Sequence, residues 1–406
     1  VDGVVMQTTG VSLQTLIKEY LFRSVNTRVL SGTLTNPANG ASGWTNAWTV
    51  AVEHKFSRAR ILVANANTGS SVTLGPFCAA ATTAVTDIAS ARNNSAAPVP
   101  ILFSGATTVT IPACSVSANP NYVWSDWVNV ESLLRTDGIL HPWITIRGFI
   151  PIDTMVYTAV GDHTQTWNST LDGRGSYSIA QQGNLVSSNY SSFAGSQNFG
   201  TNILLGVQTS CEAGCMQIGV FGDSIFATTD KGASGWVPKL TDALSGIFGI
   251  PVSSSNFGWN GQTTAQYYAR WASQADNLKM SLAIFEAYST NNGASIAAVT
   301  EAKGFVAAFL DDCATKRILP VLWIPLVSSA WTFAQKQLIE DYRNEIRAYK
   351  NTPVIDCASI LIDQVTLDYK PGVSDDGVHP NQTGLNMVYE HINASVTQAL
   401  FGSRMI

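Results

Sequence analysis

From Met216 onward, short apolar runs alternate with stretches of helical periodicity, and this alternation constrains the fold more than any other feature. Residues 216–221 (MQIGVF), 281–287 (SLAIFEA), 320–327 and 353–356 read as strands. Between and after them, 237–248, 302–316, 333–349 and 383–401 carry a 3.6-residue apolar spacing, with Phe305, Val306, Phe309 and Leu310 on one side of the second. Such alternation over about 190 residues predicts a parallel sheet covered on both faces. In folds of that kind the chemistry gathers at the carboxyl ends of the strands.

The earlier part of the chain has a different texture. Residues 58–66 (RARILVANA), 108–112 (TVTIP), 143–150 (WITIRGFI) and 154–160 alternate with period two and are separated by Gly, Asn, Pro and Thr clusters. They predict an all-β sandwich, jelly-roll-like, over 27–210. A short helix is expected over 12–22, within an N-terminal segment 1–26, and a long polar surface loop over 162–202. The α/β domain then occupies 211–406.

Composition excludes several functions. With 45% hydrophobic residues the chain is not intrinsically disordered. With 23 Lys+Arg against 28 Asp+Glu it has no electrostatic footprint for nucleic acid. No apolar run reaches membrane-span length, and residues 1–10 show no signal-peptide pattern. Five scattered histidines and no CxxC pair give no zinc spacing, so no metal is expected. The even count of six cysteines predicts disulfides, and of the 15 full connectivities sequence-local pairing gives 78–114, 211–215 and 313–357; the alternative is six buried thiols in a cytoplasmic protein. Paired cysteines and a charged fraction of only 13% point to an extracellular or periplasmic protein, with a virion-associated one as a variant of that setting.

Four polar segments follow the apolar strands. Gly222-Asp223-Ser224-Ile225 puts a serine directly after a strand and before a helix, a nucleophile's position. Asp376-Gly377-Val378-His379-Pro380 sets a carboxylate three residues before a histidine, close enough to bond Nδ1 and leave Nε2 for a serine proton. The other histidine of this region, His391, falls within a helix, and Asp375 is expected at the surface. Between these segments lie Asn256-Phe257-Gly258-Trp259-Asn260-Gly261-Gln262-Thr263-Thr264 and Ser289-Thr290-Asn291-Asn292. The N–H groups of Ser224 and Gly261 and the Asn291 amide are candidate oxyanion donors. Taken singly, Gly-Asp-Ser and Asp-x-x-His are common turn sequences; together and in this order they carry more.

In that order and context the four segments resemble the signature blocks of the SGNH hydrolases, the GDSL-type esterases. The resemblance covers about half of the chain and implies a three-layer flavodoxin-like α/β domain. It implies Ser224 as nucleophile, His379 as base, Asp376 as its orienting acid, and Ser224, Gly261 and Asn291 around an oxyanion hole. The family's third block usually reads Gly-x-Asn-Asp, whereas here Ser289 and Asn292 replace Gly and Asp. Trp259 and Tyr288 are candidates for lining the substrate pocket, with core packing as the alternative; Trp124, Trp127 and Trp143 are candidates for stacking on sugar rings, with core packing the expected reading.

The chemistry implied is acyl transfer through a serine ester, with no metal or organic cofactor required. A β-sandwich ahead of such a domain resembles carbohydrate esterases, so the expected partner is an acetylated glycan or another small ester. Two alternatives stand beside this: a glycan-binding or phage-fibre-type module with a vestigial hydrolase fold, and an acyltransferase using the same triad.

Overall fold

The computed structural model describes residues 18–24, 31–33, 43–52, 54–65, 67–82, 97–115, 121–133, 142–151, 155–157, 176–184, 186, 196–197, 203–227, 236–258, 261–350 and 352–401. The chain forms two compact units, one of residues 19–214 and 230–233, the other of residues 1–18, 215–229 and 234–406.

The first unit is all-β in its described part. One antiparallel sheet of six strands runs Ser196–Gln197, Ser176–Gln182, Gly43–Ala51, Trp143–Pro151, Phe77–Thr82, Val99–Ile101. In the second, Arg58–Asn65 pairs antiparallel with Asn121–Trp124, with Val128–Asn129 and with residues 204–209. Alternate residues from both sheets (Trp48, Val50, Ile144 and Ile146 from one; Ala59, Ile61, Val63 and Val207 from the other) share one apolar core. Period-two alternation in the sequence produces this sandwich, because every second side chain enters the core. Trp143 is buried as expected, while Trp124 and Trp127 are half-buried and stack on Arg60, whose guanidinium lies 4.2 and 4.9 Å from their ring centres.

Two expectations are corrected here. Lys18–Ser24 is a strand pairing with Leu204–Phe221, not the end of a helix over 12–22; residues 12–17 lie outside the described ones. The polar stretch 162–202 is not all loop, since Ser176–Gln182 pairs along Gly43–Ala51 and holds Ser196–Gln197 on its other side. Backbone pairing is indifferent to side-chain polarity, so a strand of Ser, Gln and Tyr gives no apolar signal.

In the second unit, five parallel strands stand in the order Val252–Asn256, residues 216–221 of Leu204–Phe221, Leu282–Glu286, Leu319–Trp323, Val354–Ile355. This is the flavodoxin-like order 2-1-3-4-5. Val252–Asn256 and Leu282–Glu286 are buried throughout, as strands covered on both faces must be. Helices Thr264–Leu278, Ile296–Lys316 and Phe333–Arg347 pack side by side in one layer. Trp236–Phe248, Cys357–Leu361 and Gln382–Phe401 form the other. The expected α/β fold is present. Its order reverses between the strands ending at Phe221 and Glu286, which opens a crevice at their carboxyl ends.

The expected disulfides are absent: all six cysteines are buried and none is disulfide-bonded. Cys78 Sγ turns to the Val186 carbonyl at 3.2 Å, Cys114 Sγ to that of Asn67 at 3.5 Å, and Cys211 Sγ to that of Gly214 at 3.3 Å. Cys313 and Cys357 sit in helices of opposite layers, with the sheet between them. An extracellular setting therefore draws on the low charge alone. Among the described residues no helix is long and apolar enough to cross a membrane.

Candidate active site

The first parallel strand ends at Phe221, and Gly222 makes the turn into the one-turn helix Ser224–Ala227. A Cβ on Gly222 would meet the Phe226 ring at 2.4 Å, so only glycine lets the chain turn this tightly. Ser224 opens the helix half-buried, while Asp223 beside it is fully buried. Across the crevice, the loop between Cys357–Leu361 and Gln382–Phe401 carries His379. His379 Nε2 lies 2.7 Å from Ser224 Oγ, and His379 Nδ1 lies 2.6 Å from Asp376 Oδ2.

That loop is held at several points. Asp376 Oδ1 accepts the N–H groups of Val378 and His379, each at 2.8 Å. The Tyr369 hydroxyl donates to the Val378 carbonyl at 2.6 Å. Ser374 and Pro380 form a bridge that closes the loop, and Ser329 N–H donates to the Gly377 carbonyl. Partial burial acts to raise the Asp376 carboxyl. Hydrogen bonds from the His379 ring and from the N–H groups of His379 and Val378 outweigh it, holding the group below the ordinary aspartate value. Asp375 is exposed, as expected, and accepts from Asn381 Nδ2 at 2.8 Å.

The remaining segments meet beneath Ser224. Asn256, at the end of its strand, donates from Nδ2 to the Phe226 carbonyl at 3.0 Å and accepts Gly258 N–H at 2.8 Å. Gly261 is exposed at φ +75°, a conformation suited to glycine. The next residue, Gln262, offers its carbonyl to Ser289 Oγ and Asn291 Nδ2 at 2.7 and 3.1 Å. Buried Arg270 holds the loop from below, donating to the Phe257 carbonyl and to Gln262 Oε1, each at 2.8 Å. Asn291 is exposed at the crevice, in the short 3-10 turn Thr290–Asn292. Asn292, in place of the family's aspartate, still accepts Thr264 N–H at 3.0 Å, and its amide also donates to Thr264 Oγ1 at 2.8 Å.

Two buried carboxyls meet beside Ser224. Asp223 N–H donates to Glu286 Oε2 at 2.8 Å, and Asp223 Oδ1 accepts Ile225 N–H at 2.8 Å. Burial pushes both carboxyls up, and Glu286 is raised further by the Asp223 charge beside it. Hydrogen bonds from Ser289 and Ile225 make Asp223 the better carboxylate of the two. In the sequence Asp223 reads only as part of a turn, and neither Glu286 nor Arg270 stands out. A glutamate within the apolar run of residues 281–287 was the available signal.

The expected pocket residues fare differently. Tyr288 is fully buried; its hydroxyl donates to the Gly293 carbonyl, its ring meets Tyr342 edge-on, and burial pushes the phenol up to about 12. A ring so enclosed offers no face to a substrate. Trp259 lies outside the described residues.

Residues 220–385 match the GDSL-like Lipase/Acylhydrolase family. The sequence matches none of the curated proteins. Among solved structures, the chain is similar to a GDSL-like lipase from Bacteroides thetaiotaomicron, at 21% identity over 45% of this chain and 87% of that one, with TM-score 0.35. A member of the lipolytic protein G-D-S-L family from Veillonella parvula matches at 19% identity over 45% and 99%, with TM-score 0.37. The psychrotrophic esterase EstA from Pseudoalteromonas sp. matches at 14% identity over 45% and 97%, with TM-score 0.38.

Proposed function

We propose that this chain, whose residues 220–385 carry the match to GDSL-like acylhydrolases, is a serine esterase removing short acyl groups, acetyl foremost. The observation that supports the reading most directly is the chain of contacts Asp376 Oδ2, His379 Nδ1, His379 Nε2, Ser224 Oγ, at 2.6 and 2.7 Å.

In this reading Ser224 Oγ attacks the ester carbonyl while His379 Nε2 takes its proton. Negative charge gathers on the carbonyl oxygen, where the N–H groups of Ser224 and Gly261 and the Asn291 amide stabilise it; each such donor is typically worth about 3 kcal/mol. The imidazolium, steadied by Asp376, then gives its proton to the departing alkoxide, and the alcohol leaves. Water attacks the acyl-serine with His379 again as base, and the acid is released. Proton transfer by the imidazole contributes about 10²- to 10⁴-fold.

Side-chain exposures of 36% for His379 and 55% for Asp376 support hydrolysis over transfer to another acceptor, because water reaches the acyl-enzyme freely. A β-sandwich ahead of the α/β unit and a weakly charged surface support an acetylated glycan as substrate.

The test measures acetate release from acetylated polysaccharides and hydrolysis of p-nitrophenyl acetate, for the wild type and Ser224→Ala. Glycan deacetylation that vanishes in the variant is the expected result. Aryl-acetate turnover without glycan release would discard the glycan, and no Ser224-dependent turnover of either would discard the esterase.

A further inference from the structure

In the family this chain resembles, the third block opens on glycine; here the position is Ser289, and it is fully buried. Its backbone is extended, with φ −88° and ψ 137°, so a side chain there costs no strain. The hydroxyl oxygen lies 2.6 Å from Asp223 Oδ2 and 2.7 Å from the Gln262 carbonyl oxygen. It accepts from Asn291 N–H at 3.1 Å and from Asn291 Nδ2 at 3.0 Å.

A hydroxyl has one hydrogen to give and two lone pairs to offer. Here the hydrogen goes to the carboxylate or the carbonyl, and Asn291 occupies the lone pairs. Three segments thus meet at one atom: Asp223 adjoins Ser224, Gln262 adjoins Gly261, and Asn291 is the third candidate donor.

The Asn291 amide also donates toward Asp223 Oδ2 at 3.3 Å and the Gln262 carbonyl at 3.1 Å. Both of these oxygens lie within 2.7 Å of Ser289 Oγ, so the three acceptors form one cluster. The amide is thus held at its Nδ2 edge, with Ser289 Oγ the nearest of the three acceptors.

We propose that Ser289 is a positioning residue for Asn291: its buried hydroxyl fixes the orientation in which the amide faces the developing oxyanion. The inference rests on the esterase reading above. Glycine in this place supplies no such anchor, leaving the amide held by Asp223 and Gln262 alone and freer to rotate.

The test uses the full chain and p-nitrophenyl acetate, comparing Ser289→Ala, Asn291→Ala, the double variant and Ser224→Ala. Asn291→Ala is expected to lower kcat by about 10²-fold, the usual effect of losing one oxyanion donor. Ser289→Ala is expected to lower kcat by about 10-fold, as a misplaced donor does, with KM unchanged within about twofold. The double variant should be no slower than Asn291→Ala, because the hydroxyl acts only through the amide.

Multiplying losses in the double variant, or an unchanged kcat in Ser289→Ala, would overturn the proposal. If Ser289→Ala does not fold, Ser289→Gly makes the same deletion with the family's own residue. Failure of both to fold, by circular dichroism, would assign the hydroxyl to stability and overturn it as well. Turnover surviving in Ser224→Ala would instead sink the esterase reading beneath it, an outcome no Ser289 variant can mimic.

Discussion

Ser329 N–H donates to the Gly377 carbonyl at 2.8 Å, and a Cβ built on Gly377 would stand 1.8 Å from Ser329 Oγ. Gly377 lies between Asp376 and His379 at φ +74°, so the loop carrying both is locked against the segment after the fourth parallel strand. A side chain at this φ costs about 1–2 kcal/mol before any clash is counted.

Gly377→Ala should therefore displace His379 and lower kcat/KM on p-nitrophenyl acetate by at least about 10-fold. Adding Ser329→Gly removes the atoms in the way but not the backbone strain. The double variant should recover part of the loss, and a double variant as slow as the single would show that the clash is not the cause.

Asp376→Asn keeps an oxygen for the N–H groups of Val378 and His379, so the loop should hold its shape. What is lost is the charge beside His379 Nδ1 and with it the tautomer that leaves Nε2 free. We expect kcat to fall by about 10³- to 10⁴-fold with little change in Tm. The carboxyl is held below its ordinary value, so any stability it contributes is present above about pH 4 and is lost only at lower pH. Thermal melts should therefore show the wild type losing Tm more steeply than the variant between about pH 4 and pH 2; profiles that run parallel there would mean that the carboxyl is not held below its ordinary value.

What was legible in the sequence was local. Ser224, Asp376 and His379 each sit in a short segment that its spacing singles out, the structure brings the three side chains together, and the strands before them are apolar enough to be seen. The strand Val252–Asn256 was not visible, because three consecutive serines in VSSSN carry no apolar signal although all are buried. Asp223 was read as a turn residue because the groups that define it, Glu286 and Ser289, come 63 and 66 residues later. Ser289 looked like a departure from a pattern; only the fold brings it against Gln262 and Asp223. Contacts across parallel strands have no sequence period, so such pairings are read from structure alone.

Glu286 is a buried acid whose value is raised, by burial first and by Asp223 second. A carboxyl raised in the folded state binds its proton there while the unfolded chain has already released it. Stability therefore falls as pH rises from the unfolded value, about 4.3, toward the folded one. Glu286→Gln keeps an acceptor for Asp223 N–H and removes the titration. The wild type should lose Tm between pH 5 and 9 more steeply than Glu286→Gln, and superimposable profiles would mean that Glu286 is not the titrating group.

The six cysteines give the last prediction. All are buried and none is disulfide-bonded, and burial pushes the Cys78 thiol up to about 11 and those of Cys313 and Cys357 up as well. A thiol kept protonated and out of water is a poor nucleophile, so the native protein should react slowly with a thiol reagent. After denaturation without reductant, all six should titrate. Dithiothreitol should leave Tm unchanged, since no cross-link restrains the unfolded chain. Titration of four thiols or fewer, with Tm lowered by reductant, would restore the disulfides that the even cysteine count first implied, and with them the oxidising setting.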